Sequence, residues 1–171
     1  MLHYVLQIEF PEFINSYLIR RTLLVPPMLD AASMEVFYNL PKYYWSTSRL
    51  SLGIVQNPYY TSAPFLIGAE LFADPNMSAN AGVIGSGYCN AGLFGTFLYS
   101  ILMTMTISFV NTVGRKLGPE LTAVLCFPTI LIIFTSTDLT TALLTHGLLM
   151  VLVLISILPK FTSPALLPAK E

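Results

Sequence analysis

Long apolar stretches, separated by short clusters of charge, set the pattern of this chain. Residues 139–158 contain no Asp, Glu, Lys or Arg and end at Pro159-Lys160. About 20 helical residues at 1.5 Å rise cross a hydrocarbon core of about 30 Å, so this stretch predicts a transmembrane span. A second span, 91–113, stops at Gly114-Arg115-Lys116. A third, 119–136, lies between that basic cluster and Asp138, and Pro128 predicts a kink within it. The connections between these spans are only a few residues long, so the three helices are expected to be antiparallel neighbours. A fourth stretch, 22–40, is apolar but carries Pro26, Pro27, Asp30 and Glu35. Acids at that depth are costly unless they face a polar cavity or a partner. The stretch therefore reads as a weaker span with its acids turned inward, or as an interfacial segment. Its flanks favour the span: Arg20-Arg21 before it, and Lys42 with Tyr43-Tyr44-Trp45 after it.

Between the first two spans lies one long polar segment, 42–90. A loop of this length is functional or disordered, and its aromatic and aliphatic content argues for order. Residues 64–72 predict a short helix lying on the membrane surface. The fold expected is all-α: a polytopic integral membrane helix bundle of about four spans, with one long external loop containing a short interfacial helix. Residues 1–21 and 159–171 would be a cytoplasmic segment and a cytoplasmic tail. Orientation follows from the basic residues. Arg20, Arg21, Arg115, Lys116, Lys160 and Lys170 fall on one side, and only Lys42 and Arg49 on the other. Basic loops stay cytoplasmic, which makes 42–90 and the Thr137-Asp138 turn external.

Composition agrees with this pattern. Only 10% of the 171 residues are charged and 54% are hydrophobic, against about 25% charged in soluble domains. The net charge of −1 leaves no basic face for nucleic acid. The opening residues include Glu9, Pro11, Glu12 and Asn15 and do not read as a signal peptide. The chain is expected to begin inside a larger gene product.

Candidate chemistry concentrates in the long loop. Arg49 is the only external arginine and could pair with a lipid phosphate, a pyrophosphate or a loop carboxylate. Glu70 and Asp74, four residues apart, would share one face of a short helix. Together the three could supply a base and a charge stabiliser. They read equally well as a headgroup anchor and solvated acids. The Asn80 to Gly87 stretch, Asn-Ala-Gly-Val-Ile-Gly-Ser-Gly, reads as a tight turn or as backbone closing on a ligand. Gly92 and Gly95 suit close helix packing. His146 is expected inside the last span in a packing role, and Asp138 as the cap of that helix. Cys89 and Cys126 read as buried thiols, and no residue cluster has metal-ligand spacing.

The order of these features resembles the C-terminal part of bacterial O-antigen polymerases, the oligosaccharide repeat-unit polymerases. The residues that carry it are Arg20-Arg21 before a proline-bearing span, the cluster Phe37-Tyr38 and Tyr43-Tyr44-Trp45-Ser46, the long loop, the Asn80 to Tyr88 stretch, and Ala91-Gly92-Leu93-Phe94-Gly95 opening a helix. The resemblance implies a metal- and cofactor-independent glycosyltransferase of the bacterial inner membrane. It would polymerise undecaprenyl-diphosphate-linked repeat units into O-antigen or capsule at the periplasmic face, with membrane lipids and a chain-length regulator protein as partners. Arg49 would stabilise the diphosphate leaving group, and Glu70 or Asp74 would activate the acceptor hydroxyl. Trp45, Tyr59, Tyr60, Asn80 and Tyr88 would contact sugar. The family's paired arginine-rich periplasmic loops are not both present. An O-antigen ligase-like enzyme, a transporter segment and an inactive remnant are the other readings.

Overall fold

In the computed structural model, residues 19–20 and 22–158 are described. The expected tail 159–171 and nearly all of the segment 1–21 lie outside them. The described residues form helices and loops, with no strand. In chain order, α1 is Val25–Val36, a 3-10 turn spans Arg49–Ser51, and α2 is Ala63–Phe72. Then come α3 (Val83–Gly114), α4 (Pro119–Ser136), α5 (Leu139–Leu144) and α6 (Leu148–Ile157). Two of these, α3 and α4, are long and apolar enough to cross a membrane.

The helix α3 is two helices joined at a break. Ala91 and Gly92 leave helical geometry, with Gly92 at φ 61° and ψ −145°, a conformation essentially reserved for glycine. The chain folds back there, so residues 83–90 lie against the start of the long segment 93–114. The contact is too close for side chains: a Cβ on Gly95 would sit 2.0 Å from the Gly87 carbonyl oxygen, and one on Gly87 would sit 2.8 Å from that of Gly95. The long segment reaches roughly 33 Å at 1.5 Å per residue. The 80–87 stretch is thus not a plain tight turn. From Val83 onward it is helical, and its glycines serve packing.

What starts that helix is a side chain from elsewhere. Gly82 is its N-cap and has no side chain to offer. Asp30, halfway along α1, accepts the backbone N–H groups of Gly82 and Gly85, both at 2.9 Å. This gives the acid in an apolar helix its partner and joins α1 to α3.

The other apolar stretches differ from their expected extents. The helix α1 has 12 residues, about 18 Å, and the chain leaves it at Phe37 rather than at Leu40. The 139–158 stretch is interrupted: α5 ends at Leu144, Gly147 adopts φ 81°, and α6 begins at Leu148. Thr145 and His146 both direct their N–H groups to the Thr141 carbonyl, closing α5 before Gly147 turns the chain. His146 is therefore exposed in the break, not packed within a helix.

Three apolar clusters hold the bundle. Leu29, Phe37, Tyr43, Ile67 and Cys89 join α1 and α2 to the first part of α3. Tyr99, Met103, Ile133, Ala142 and Leu148 join α3 to α4, α5 and α6. Val110, Cys126 and Ile155 close the far end. Both cysteines are free and buried.

Candidate functional site

The break at residues 91–92 leaves carbonyls open at the end of the short helical segment. The loop after α1 closes them. Tyr43 N–H donates to Cys89 O at 3.0 Å and Tyr44 N–H to Asn90 O at 2.8 Å. Trp45 N–H donates to Asn90 Oδ1 at 3.0 Å. To do this Tyr44 and Trp45 adopt φ values of 48° and 59°, a left-handed geometry that costs about 1–2 kcal/mol per residue.

Asn90 then turns its amide inward, donating to Ser86 O at 2.9 Å and to Asp138 Oδ1 at 3.5 Å. Asp138 begins α5 and caps it, its Oδ2 accepting Thr140 N–H at 2.9 Å, Thr141 N–H at 3.3 Å and the Thr140 hydroxyl. Its Oδ1 accepts the Tyr99 hydroxyl at 2.8 Å, and that hydroxyl accepts the Trp45 indole N–H at 2.7 Å. Three segments of chain meet on one carboxylate whose two oxygens are both occupied, and the Trp45 loop joins them through Tyr99.

Beside this network lies a cavity of about 250 Å³. Its walls carry Tyr43, Ser48, Ser62, Asn80, Ser86, Asn90, Thr137, Thr141 and the Asp138 carboxylate, with Ile67 and Ala79 as apolar floor. No Lys or Arg lines it among the described residues. The lining is rich in hydroxyl and amide groups. Thr137, 8% exposed as a residue, is on its wall. The buried side-chain polar atom without a partner among the described residues is the Ser46 hydroxyl, an uncommon state.

The surrounding loop is anchored by aromatics. The Tyr43 hydroxyl donates to Thr61 O at 2.9 Å, and Tyr59 donates to Pro41 O at 2.7 Å. The Phe37, Tyr43 and Tyr59 rings pack together, with Tyr43 and Tyr59 centroids 5.0 Å apart. Burial pushes the Tyr43 phenol up, and the neighbouring Tyr59 and Cys89 add to the shift. It is a neutral hydrogen-bonding group at any physiological pH. Lys42 donates to the Phe37 carbonyl at the end of α1 and lies 4.8 Å from the centre of the Tyr88 ring. Burial lowers its ammonium pKa.

Of the residues singled out in the sequence, Asn80 lines the cavity. Trp45 sits behind it, in the bond to Tyr99. Tyr59 is committed to the loop and Tyr88 to Lys42, while Tyr60 is fully exposed. Arg49, Glu70 and Asp74 are exposed and do not line the cavity. Arg49 follows directly on the cavity residue Ser48, and Asp74 accepts the Asn76 N–H at 2.9 Å. No ion pair joins Arg49 to either acid among the described residues. Sequence reasoning passed over Asn90, Tyr99 and Thr137, and read Asp30 only as an acid in need of a partner. No group of three or more His, Cys, Asp or Glu residues that could hold a metal occurs among the described residues.

Set against known protein families, curated proteins and solved structures, the chain matches none of them.

Proposed function

We propose that this chain is a multi-pass membrane protein that engages a glycan at the membrane surface, as the resemblance to the repeat-unit polymerases implies. The membrane part of this reading is supported by α3 and α4. Their length suits a bilayer, and most of their apolar surface is uncovered by protein: Leu93, Phe97, Val124 and Phe127 are all more than 60% exposed. Burying one such side chain is worth about 1.5–3 kcal/mol, so rows of them facing water would be costly and lipid is the natural covering phase.

The glycan part rests on one observation, the cavity of hydroxyl and amide groups at the head of those helices. Ser, Thr, Tyr and Asn side chains give and take hydrogen bonds without charge, which matches a ring of sugar hydroxyls. At about 250 Å³ the cavity has room for a small polar group. On the polymerase reading the cavity holds a sugar of the repeat unit. Arg49, exposed beside the cavity wall, is then the cation available to a diphosphate leaving group.

Deleting the gene from its host and resolving surface polysaccharide by gel tests this reading. It expects loss of the long-chain ladder and retention of single repeat units on the lipid carrier, restored by the full chain. An unchanged ladder overturns it.

A further inference from the structure

The turn that follows Trp45 is held by its own hydrogen bonds and ends in an uncovered apolar tip. Ser48 N–H donates to Trp45 O at 2.9 Å, Ser51 Oγ to Ser48 O at 2.7 Å, and Ile54 N–H to Ser51 O at 2.9 Å. Within that frame Leu52 and Gly53 take φ values of 49° and 76°. Left-handed backbone is uncommon for a bulky side chain, and the side chain it carries here is left outside: Leu52 is 84% exposed and Ile54 82%. The Trp45 indole fixes where the turn sits along α3, because it donates to the Tyr99 hydroxyl at 2.7 Å. Tyr99 lies about two turns past Gly92, and its side chain leans back toward that end. Over the same two turns Leu93, Phe94 and Phe97 are more than 60% exposed. The turn is thus rooted level with the start of the uncovered apolar band of α3.

We propose that this tip is a membrane-inserting wedge: Leu52 and Ile54 enter the acyl layer of the leaflet at this end of α3, with Arg49 at the level of the headgroup phosphates. The proposal goes beyond the glycan reading and rests only on its membrane part. Three observations select lipid as the covering phase. The tip is rooted at the depth where α3 itself needs lipid. Between Glu35 and Glu70 the chain has no Asp or Glu, and Lys42 and Arg49 are its only charges there, so nothing on this segment repels headgroup phosphates. Two neighbouring side chains also make too small a patch for a stable protein interface, which covers about 800 Å² on each partner. The consequence reaches the cavity. Thr47 and Ser48 line it and directly precede Arg49. An inserted wedge therefore holds that wall at the headgroup layer, where a lipid-linked diphosphate lies within the range of Arg49.

The test places a nitroxide on single cysteines in the full chain, in nanodiscs of phosphatidylethanolamine and phosphatidylglycerol, and measures its collisions with oxygen and with a water-soluble nickel chelate. Oxygen concentrates in the acyl layer and the chelate in water. The native cysteines are buried, so the label goes to the introduced ones. Leu52→Cys and Ile54→Cys are expected to gain oxygen collisions and lose those with the chelate, both measured against Tyr60→Cys, a water-facing reference on the same loop. Either position decides if the other variant fails to fold. A chelate-rich profile at 52 and 54, equal to that at 60, means the tip stands in water and overturns the proposal. Low collisions with both reagents mean that protein covers the tip and overturn it as well. Phe127→Cys, on the exposed face of α4, separates the two readings. An oxygen-rich profile there with a water profile at 52 and 54 sinks the wedge alone, whereas a water profile at 127 sinks the membrane reading and the wedge with it.

Discussion

Asp30 caps a helix that begins at Gly82, far along the chain: its Oδ1 accepts the Gly82 N–H at 2.9 Å, and the Gly85 N–H at the same distance. The two glycines make that approach possible. A Cβ on Gly85 would lie 2.7 Å from Asp30 Oδ1, and one on Gly82 would lie 2.3 Å from the Phe134 carbonyl oxygen. Losing an N-cap side chain costs about 0.5–2 kcal/mol, and two N–H groups lose their acceptor here. Asp30→Ala should lower the thermal midpoint in nanodiscs clearly, and Asp30→Asn, which keeps one acceptor oxygen, should fall between it and wild type. Equal midpoints for all three would show that the cap contributes nothing.

The hairpin at Gly92 depends on the contact of Gly87 with Gly95. Gly95→Ala should cost about 1–3 kcal/mol, the usual range for overpacking, because its new Cβ meets rigid backbone rather than a movable side chain. Gly53→Ala is the control. It has open space within 4 Å and only its φ of 76° to resist the change. The comparison is by chemical denaturation, and a Gly95 variant no less stable than the Gly53 variant would contradict the close packing.

Trp45, the one tryptophan of the chain, reports on the Asp138 network directly. Its indole N–H has Tyr99 as acceptor, and Tyr99 in turn donates to Asp138. Tyr99→Phe leaves that N–H and one Asp138 oxygen short of a partner, at about 1–3 kcal/mol. The emission maximum of Trp45 should shift in the variant. A double-mutant cycle with Trp45→Phe should return a coupling of about 1 kcal/mol; a coupling near zero would mean the bond carries no stability.

Two long apolar helices were legible in the sequence because α3 and α4 carry so little charge over their lengths, a signal that needs no knowledge of contacts. Asp138 was legible as a cap because capping is local. The break within 139–158 was less so, since Gly147 in an apolar run reads as a tolerated residue until Thr141 is seen taking the N–H groups of both Thr145 and His146. The site itself was mostly hidden. Arg49, Glu70 and Asp74 drew notice by charge, yet charge on a loop is what water also selects. Asn90, Tyr99 and Thr137 gain meaning only when the Gly92 fold-back and the α4–α5 turn bring them together. Asn80, drawn out early, does line the cavity, and Asp30, an acid in an apolar helix, signalled the cap on the helix beside it.

Topology can be tested on geometry already in hand. The loop containing Tyr60 is tied by Tyr43 and Tyr59 to the same end of α3 as Asn90. Arg115 follows the other end, roughly 33 Å away. On the proposed orientation these ends lie on opposite faces of the membrane, with Arg115 and Lys116 cytoplasmic. Cys89 and Cys126 are buried and give a silent background. Tyr60→Cys in intact cells should therefore react with an impermeant thiol reagent, and Arg115→Cys should react only after permeabilisation. The reverse pattern would invert the orientation, and equal labelling of both in intact cells would mean that this stretch of α3 does not cross the bilayer.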